Sequence, residues 1–445
     1  MLSLVCSFFV LIISFKLFKI ASGSMKLSKL NLISVYFYIE LFISLCASTL
    51  ILNKWINTYT LKYLLCDETK LYVWLSVLYI MIAMPLGMIL ISKLFHINSS
   101  KTILEKYIEQ PIIGLSNKKT NDELALYVIL SLLSCISIIY MLSKLNHIPI
   151  LEMYKGASPD FLAVIRISAI REFSGVIQIP IIFGRILGQI STYIAYIQWE
   201  KTRKKSILIW FIILFIFTSI MLSVYLEKAL ILWFLGGFLI IKIMLNKLKT
   251  KTYILYSFVL LLIILKLFQY SKGFNNIKET ISPFIERVTI TQIEGAYLMY
   301  EIFPQSHEYI KGRSISNLLS KLLKFDYIEP AERTVLFAIY PQAIREGRIG
   351  TMTTLFIGDA WANFGFLGLI LSPWISGAIL QLFYIIILKS KKSPVNLAIY
   401  TYVTMNNPLR SGFVNGILFD SGLISAVMIL LIIKLIAKIN RDSYF

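Results

Sequence analysis

Apolar residues in this chain are grouped into long continuous runs separated by short polar stretches. A run of about 20 apolar residues can cross the hydrocarbon core of a bilayer as an α-helix. In lipid the backbone has to satisfy its own hydrogen bonds, so helices are expected for each run. The pattern predicts one all-α polytopic membrane domain over residues 1–445, with about eleven transmembrane helices. The runs cover residues 1–18, 31–51, 71–95, 124–143, 175–200, 206–225, 229–245, 252–270, 360–388, 394–406 and 415–437.

The basic clusters between the runs indicate an orientation. If every run crosses the membrane, KTRKK (201–205), KLKTK (247–251), KSKKS (389–393) and KINR (438–441) fall on the same side. Segment 93–119 falls there too. Loops rich in lysine and arginine are retained in the cytoplasm, which places the amino terminus outside and the carboxyl terminus inside.

Two segments on the opposite, external side are too long to be turns. External loop 1 covers residues 144–174 and external loop 2 covers residues 271–352. The second loop contains ITQIEGAYLMYEIF (290–303) and LLSKLLKF (318–325), in which apolar and polar residues alternate at roughly helical spacing. We therefore expect short amphipathic helices that lie on the outer bilayer surface.

Composition excludes several classes of protein. Hydrophobic residues make up 57% of the chain and charged residues only 15%, whereas soluble proteins carry roughly 25% charged residues. The net charge of +20 is explained by lysines that flank membrane spans, so no nucleic-acid partner is expected. The four cysteines show no CxxC spacing, which argues against a disulfide framework or a zinc site.

Arginine is distributed differently from lysine. In this topology only two of the eleven arginines are cytoplasmic, and Arg185 lies inside the fifth span. The external ones are Arg166, Arg171, Arg287, Arg313, Arg333, Arg345, Arg348 and Arg410. Arginine binds phosphate or carboxylate through a planar fork that lysine lacks, which favours an anionic ligand outside. The alternative is local pairing, since Glu286 precedes Arg287 and Glu332 precedes Arg333.

Arg185 has a separate interpretation. It follows Gly184 and precedes Gly188, and a cation inside the membrane is costly unless it is paired or hydrated. It could contact a lipid-linked headgroup, or its side chain could snorkel to the outer surface. Glu40 and Asp420 also fall within spans and are possible partners.

Motifs for nucleotide or metal chemistry are missing. The chain has three histidines, no HExxH or DxD spacing, and no P-loop, GxGxxG or GxSxG motif. We therefore expect neither a cofactor nor a metal. Amphiphiles with an anionic headgroup fit the arginines best, and lipid pyrophosphates are the obvious case.

Two stretches of the sequence resemble a known family. RVTITQIEGAYLMYEIFPQSHEYIKGRS (287–314) and REGRIGTMTTLFIGDAWANFGFLGLI (345–370) resemble the Wzy-type O-antigen polymerases, which join bacterial oligosaccharide repeat units. GDAWANFGFLG is the strongest signal, and the order of spans and the two enlarged loops are similar along nearly the whole chain. The resemblance implies a GT-C-like fold in the bacterial inner membrane. The glycines of the motif could also serve helix packing alone.

The resemblance implies polymerisation of polyprenyl-pyrophosphate-linked oligosaccharides at the outer face of that membrane. Polyprenyl pyrophosphate would be the leaving group of an inverting, metal-independent glycosyl transfer. The membrane lipid is an expected partner, and a chain-length regulator is a possible one. Pyrophosphate would be bound by Arg166, Arg171, Arg185, Arg287, Arg313 and Arg348. The candidate general bases are Glu172, Glu294, His307, Glu346 and Asp359.

Two other functions stay open at this point. A flippase for the same lipid-linked oligosaccharide would also need many spans, but it would not need a large external loop, and no internal repeat relates the two halves. An O-antigen ligase would share the chemistry. The Arg-x10-Gly and His-x10-Gly spacings of some ligases and polymerases do not occur in this chain, which argues mildly against the ligase.

Overall fold

The computed structural model describes most of the chain, and no β-strand occurs among the described residues. They are residues 2–442 apart from 57, 59, 65, 114, 116–120, 159–160, 163, 167, 169–177, 225–227, 247–249, 273–275, 316–323, 343–350, 407–411 and 420. The chain divides into two compact units. Unit 1 comprises Met1–Leu104, Asn275–Ile386 and Asn407–Asp420, and unit 2 comprises Glu105–Phe274, Ile387–Asn406 and Ser421–Phe445.

Sixteen described helices matter for the argument, and they are numbered here in chain order. The first eight are α1 (Leu2–Ser22), α2 (Leu32–Leu52), α3 (Glu68–Leu94), α4 (Ser100–Glu109), α5 (Asn121–Lys144), α6 (Pro149–Tyr154), α7 (Gln178–Thr202) and α8 (Lys205–Ser223). The next eight are α9 (Lys228–Met244), α10 (Thr250–Lys272), α11 (Ile277–Val288), α12 (Glu294–Ile302), α13 (Ala331–Ile339), α14 (Phe356–Lys389), α15 (Pro394–Asn406) and α16 (Ser421–Asp442).

Helices occupy the described part of every predicted run, so the all-α membrane protein predicted from the sequence is confirmed at that level. Within the described residues, seven helices are long and apolar enough to cross a membrane: Leu2–Lys29, Leu32–Leu52, Glu68–Leu94, Leu124–Lys144, Lys205–Ser223, Phe356–Lys389 and Val414–Ile432. The other four runs form α7, α9, α10 and α15. Helix α7 buries polar side chains such as Gln198 and Glu200, and α15 has only 13 residues. Eleven crossings stay a prediction.

Small residues allow close helix contacts within unit 1. A Cβ atom on Gly87 of α3 would lie 2.9 Å from the carbonyl oxygen of Trp374 in α14, and one on Gly377 would collide with the carbonyl oxygen of Met84. The indole of Trp374 also donates to the hydroxyl of Tyr79 at 3.1 Å. Backbone approach through glycine and polar contacts are how helices associate where lipid removes the hydrophobic drive.

Helix α7 is the centre of unit 2 and packs against α5, α8 and α15. A Cβ on Gly188 would lie 3.0 Å from Thr218 Oγ1 of α8. At the same contact the hydroxyls of Thr192 and Thr218 are 3.0 Å apart. On the other side Tyr193 donates to the carbonyl oxygen of Phe234 in α9 at 2.8 Å.

External loop 2 folds differently from the prediction of surface helices. A helix does form in segment 290–303, but all nine residues of α12 are buried. It therefore packs inside unit 1, and the predicted position on the bilayer surface is wrong for this helix. Most of the second predicted helix, 318–325, lies outside the described residues. Helix α11 is the amphipathic one, with Ile277, Ile281 and Ile285 exposed along one face.

Candidate functional site

The first turns of α14 contain the sequence GDAWANFG (358–365), which fixes external loop 2 to this helix. Trp361 stacks on Tyr300 of α12 with ring centroids 4.6 Å apart. Its indole N–H donates to the carbonyl oxygen of Phe303 at 2.9 Å. A stacked aromatic pair with a satisfied indole is a strong anchor between two elements.

Asn363 and Gly365 fix a turn of the same loop. The backbone N–H of Gly312 donates to Asn363 Oδ1 at 3.0 Å, and that of Lys311 donates to the carbonyl oxygen of Asn363 at 3.0 Å. Gly365 has a positive φ of 58° inside α14, and a Cβ there would lie 2.8 Å from the ring of Tyr309. The glycine therefore provides both the kink and the room for the tyrosine.

Asp359 of the same motif is completely buried, and both of its carboxylate oxygens accept hydrogen bonds. Its Oδ2 accepts from the backbone N–H groups of Phe413 and Val414, both at 2.8 Å. Its Oδ1 accepts from Asn363 Nδ2 at 2.7 Å. Three donors hold this carboxylate, so in this arrangement it fixes the backbone at 412–414.

A second carboxyl group, that of Glu332 in α13, lies beside Asp359. Gly412 separates them, since a Cβ on it would collide with Glu332 Oε1 and would lie 2.9 Å from Asp359 Oδ2. The backbone of Gly412 has a φ of +104°, which favours glycine. Glu332 is only 6% exposed, and its Oε1 accepts no hydrogen bond from the described residues. Burial, and then the nearby Asp359, raise the pKa of Glu332 well above its usual range.

From the sequence, Glu332 is named only as a possible partner of the adjacent Arg333 and not as a candidate base. In the structure Arg333 instead contacts Glu329 at 3.1 Å, one helical turn earlier. The guanidinium also lies 5.2 Å from the ring centroid of Phe337. The position of Glu332 at the second residue of a helix after a proline was the available signal, since it turns the side chain away from Arg333.

Two further carboxylates of α12 are buried in unit 1. Glu294 accepts a hydrogen bond from the hydroxyl of Thr58, and burial raises its pKa. Glu301 accepts from the backbone N–H of Cys66 at 2.8 Å and from the hydroxyl of Thr69. Both groups connect α12 to the segment between α2 and α3.

Of the other predicted bases, the structure describes His307. His307 is exposed, and its ring lies 5.9 Å from that of Phe303. Glu172 and Glu346 lie outside the described residues. Among the candidates that the structure describes, Asp359 is the one that forms the carboxyl pair with Glu332.

The predicted arginines belong to two separately described units. Arg287 is exposed in the last turn of α11 and lowers the pKa of Glu294, opposing the effect of burial. Arg313 is half-buried and donates from Nε to the carbonyl oxygen of Ile310 at 3.1 Å. In unit 2, Arg166 is exposed and Arg185 is half-buried. A common cavity for these arginines stays a prediction, and Arg171, Arg345, Arg348 and Arg410 lie outside the described residues.

No family model, curated protein or solved structure matches this chain.

Proposed function

We propose that this chain polymerises polyprenyl-pyrophosphate-linked oligosaccharide repeat units at the outer face of the bacterial inner membrane. The observation that supports this most directly is the pair of Glu332 and Asp359. Asp359 belongs to the motif GDAWANFG, on which the resemblance depends. Glycosyl transfer to a sugar hydroxyl requires a group that accepts a proton, and a carboxyl group of raised pKa is suited to that task.

The proposal includes eleven crossings, a GT-C-like bundle, an external amino terminus and a cytoplasmic carboxyl terminus. One feature of unit 2 supports the part of this topology that places its basic segments on a common side of the membrane. Segments 108–112, 197–201 and 245–246 and Lys392 surround one cavity. All four were predicted to lie at or beside the cytoplasmic ends of spans, and ends that share a side of the membrane are expected to meet.

In the proposed reaction Glu332, when ionised, accepts the proton of the acceptor hydroxyl. The hydroxyl oxygen forms a bond to the anomeric carbon of the donor chain from the face opposite the leaving group. The bond between that carbon and the pyrophosphate oxygen breaks, and polyprenyl pyrophosphate leaves with the electron pair. Asp359 is the positioning residue that raises the pKa of Glu332. The six predicted arginines stabilise the charge that develops on the pyrophosphate.

Deletion of the gene, followed by a gel of the surface polysaccharide, tests this function. A polymerase deletion should leave single repeat units on the cell surface, and the wild-type chain should restore the ladder. Loss of all surface units would instead indicate a flippase. Long chains that accumulate on the lipid carrier without transfer would indicate a ligase.

Glu332→Gln tests the assignment of the base. We expect it to shorten the ladder to one or a few units, because the amide cannot accept the proton. Glu329→Gln, two residues before the same helix, is the matched control and should keep the full ladder, since the Glu329 side chain is 45% exposed and pairs with the partly exposed Arg333. A wild-type ladder from Glu332→Gln would rule out this residue as the base.

A further inference from the structure

Unit 2 contains a cavity of about 410 Å³ that plays no part in the proposed reaction. Its walls come from the end of α4 and the following loop, the end of α7, the loop after α9 and the loop between α14 and α15. The polar residues that line it are Glu109, Gln110, Glu200, Lys201, Asn246 and Lys392. It lies at the end of unit 2 that the sequence places in the cytoplasm.

Lys392 is the unusual residue in this wall. It is only 1% exposed, and its Nζ donates to the carbonyl oxygen of Ile108 at 2.8 Å. It also lies 5.5 Å from the ring centroid of Tyr107. An ammonium group has three N–H donors, and among the described residues Ile108 is its one hydrogen-bond acceptor. Two donors are therefore left for a ligand in the cavity.

The backbone around Lys392 holds the ammonium in place. The N–H of Ile113 donates to the carbonyl oxygen of Lys392 at 3.0 Å, which joins two of the walls. Asn396 caps the same loop by donating to the carbonyl oxygen of Lys391 at 2.9 Å. The cavity is therefore built from fixed backbone around a buried cation.

Glu200, a buried acidic residue of the cavity wall, is already paired with cations. Glu200 contacts Arg203 Nη2 at 2.7 Å and Lys242 Nζ at 2.6 Å. Its side chain is 1% exposed. Two cations therefore balance one carboxylate, and Lys201 and Lys392 add further positive charge against the exposed Glu109. The balance of charge favours an anion.

We propose that this cavity binds a phosphate group through Lys392. A buried ammonium is stable only when its donors and its charge are compensated, and a phosphate oxygen does both. The apolar residues Ile112, Ile197 and Leu245 beside it would contact the carbon atoms that carry the phosphate. The phosphate could belong to a membrane lipid or to a soluble compound, and the chemistry of recognition is the same.

The charge state of Lys392 makes this binding sensitive to pH. Burial lowers the pKa of Lys392 to about 8, and only the protonated form attracts an anion, so affinity should fall as pH rises through that value. The charged and titratable groups that line the cavity or contact its residues are Tyr107, Glu109, Glu200, Lys201, Arg203 and Lys242. Burial raises the pKa of Tyr107, so this hydroxyl stays neutral in the same range.

The test measures binding to the purified full-length chain in nanodiscs of phosphatidylcholine. Inorganic pyrophosphate is the soluble probe, followed by ³¹P NMR. Phosphatidic acid added to the nanodiscs is the lipid probe, followed by native mass spectrometry. Lys392→Met should weaken binding of the effective probe at least tenfold. Lys389→Met removes an exposed lysine three residues away and should leave binding unchanged.

Binding of pyrophosphate identifies a soluble ligand, and retention of phosphatidic acid alone identifies a lipid. Failure of both probes to bind the wild-type chain, or equal binding to Lys392→Met, would overturn the proposal. If Lys392→Met does not fold, two other measurements decide. Wild-type affinity should fall severalfold between pH 7 and 9, and Lys201→Met should weaken binding about threefold. The proposed site would be overturned if the wild-type affinity stayed constant between pH 7 and 9 and Lys201→Met bound as tightly as the wild type. None of these measurements requires polysaccharide synthesis, so the outcome is independent of the polymerase proposal.

Discussion

At the residue scale, Gly412 has two separate reasons to be glycine. Its φ is +104°, and the space beside its Cα is filled by the carboxyl groups of Glu332 and Asp359. Gly412→Ala should therefore lower the thermal unfolding midpoint through backbone strain, of about 1–2 kcal/mol, and through a collision that overpacking studies put at about 1–3 kcal/mol. Gly156 separates the two effects, because its φ is +83° and no atom lies within 4 Å of its Cβ position. Gly156→Ala should lower the unfolding midpoint by less than Gly412→Ala does. Equal decreases, measured at the same scan rate, would mean that the side chains of Glu332 and Asp359 move to make room for the added methyl group.

Glu332 should also make stability depend on pH. Burial and the neighbouring Asp359 raise its pKa in the folded chain, so the folded state binds this proton more tightly than the unfolded state does. The resulting stabilisation is complete below the unfolded pKa of about 4.3 and is lost as pH rises toward the raised value. Glu332→Gln keeps the neutral form, so its unfolding midpoint should vary less between pH 5 and pH 8 than that of the wild type. Parallel curves for the two proteins would show that Glu332 keeps its ordinary pKa, and Glu329→Gln serves as the control.

At the scale of elements, the start of α14 determines whether external loop 2 stays folded. Trp361→Leu removes the stack on Tyr300 and the hydrogen bond to Phe303. Replacement of a buried tryptophan by alanine costs about 3–5 kcal/mol, and Trp361→Leu should cost less than that because Trp361 is half-buried and leucine keeps part of its volume. Limited proteolysis from outside should then cut segment 276–342 faster. Phe366→Leu in the same helix, at a side chain that is 65% exposed, should leave cleavage at the wild-type rate. Equal rates for all three proteins would mean that other contacts hold the loop.

The elements were predictable where a local pattern determines them. The described part of each apolar run is helical because lipid or a protein interior leaves the backbone no other way to satisfy its hydrogen bonds. The burial of α12 was not predictable, since Glu294 and Glu301 gave it the polar positions of a surface helix. Their partners, Thr58 and Thr69, lie more than 200 residues away in the sequence. For the same reason the sequence could nominate Asp359 from its motif but could not bring Glu332 and Gly412 to it.

At the scale of the whole molecule, the orientation proposed from the basic clusters can be measured directly. A reporter that is active only outside the cytoplasm should work when it is fused after residue 160 or 320. It should be silent after residue 204, 249 or 391. The basic clusters KTRKK (201–205) and KSKKS (389–393) are the reason for the silent sites, because positive loops resist translocation. Activity after 204 together with silence after 320 would reverse the orientation and place the carboxyl pair in the cytoplasm.

The last prediction concerns how the whole molecule stabilises a leaving pyrophosphate. Negative charge develops on that group as its bond to the sugar breaks, and many enzymes oppose such charge with a divalent ion. In the predicted topology eight arginines lie outside instead. Guanidinium groups held in fixed positions keep their charge at any working pH and bind phosphate oxygens in pairs. Purified chain supplied with lipid-linked repeat units should therefore polymerise them in excess EDTA at an undiminished rate. If the chelator stops turnover and magnesium or manganese restores it, the arginines do not act alone. Glu294 would then be the first residue to test as a metal ligand, because it is a buried carboxylate of the predicted external loop 2 whose described hydrogen bonds come from neutral hydroxyls.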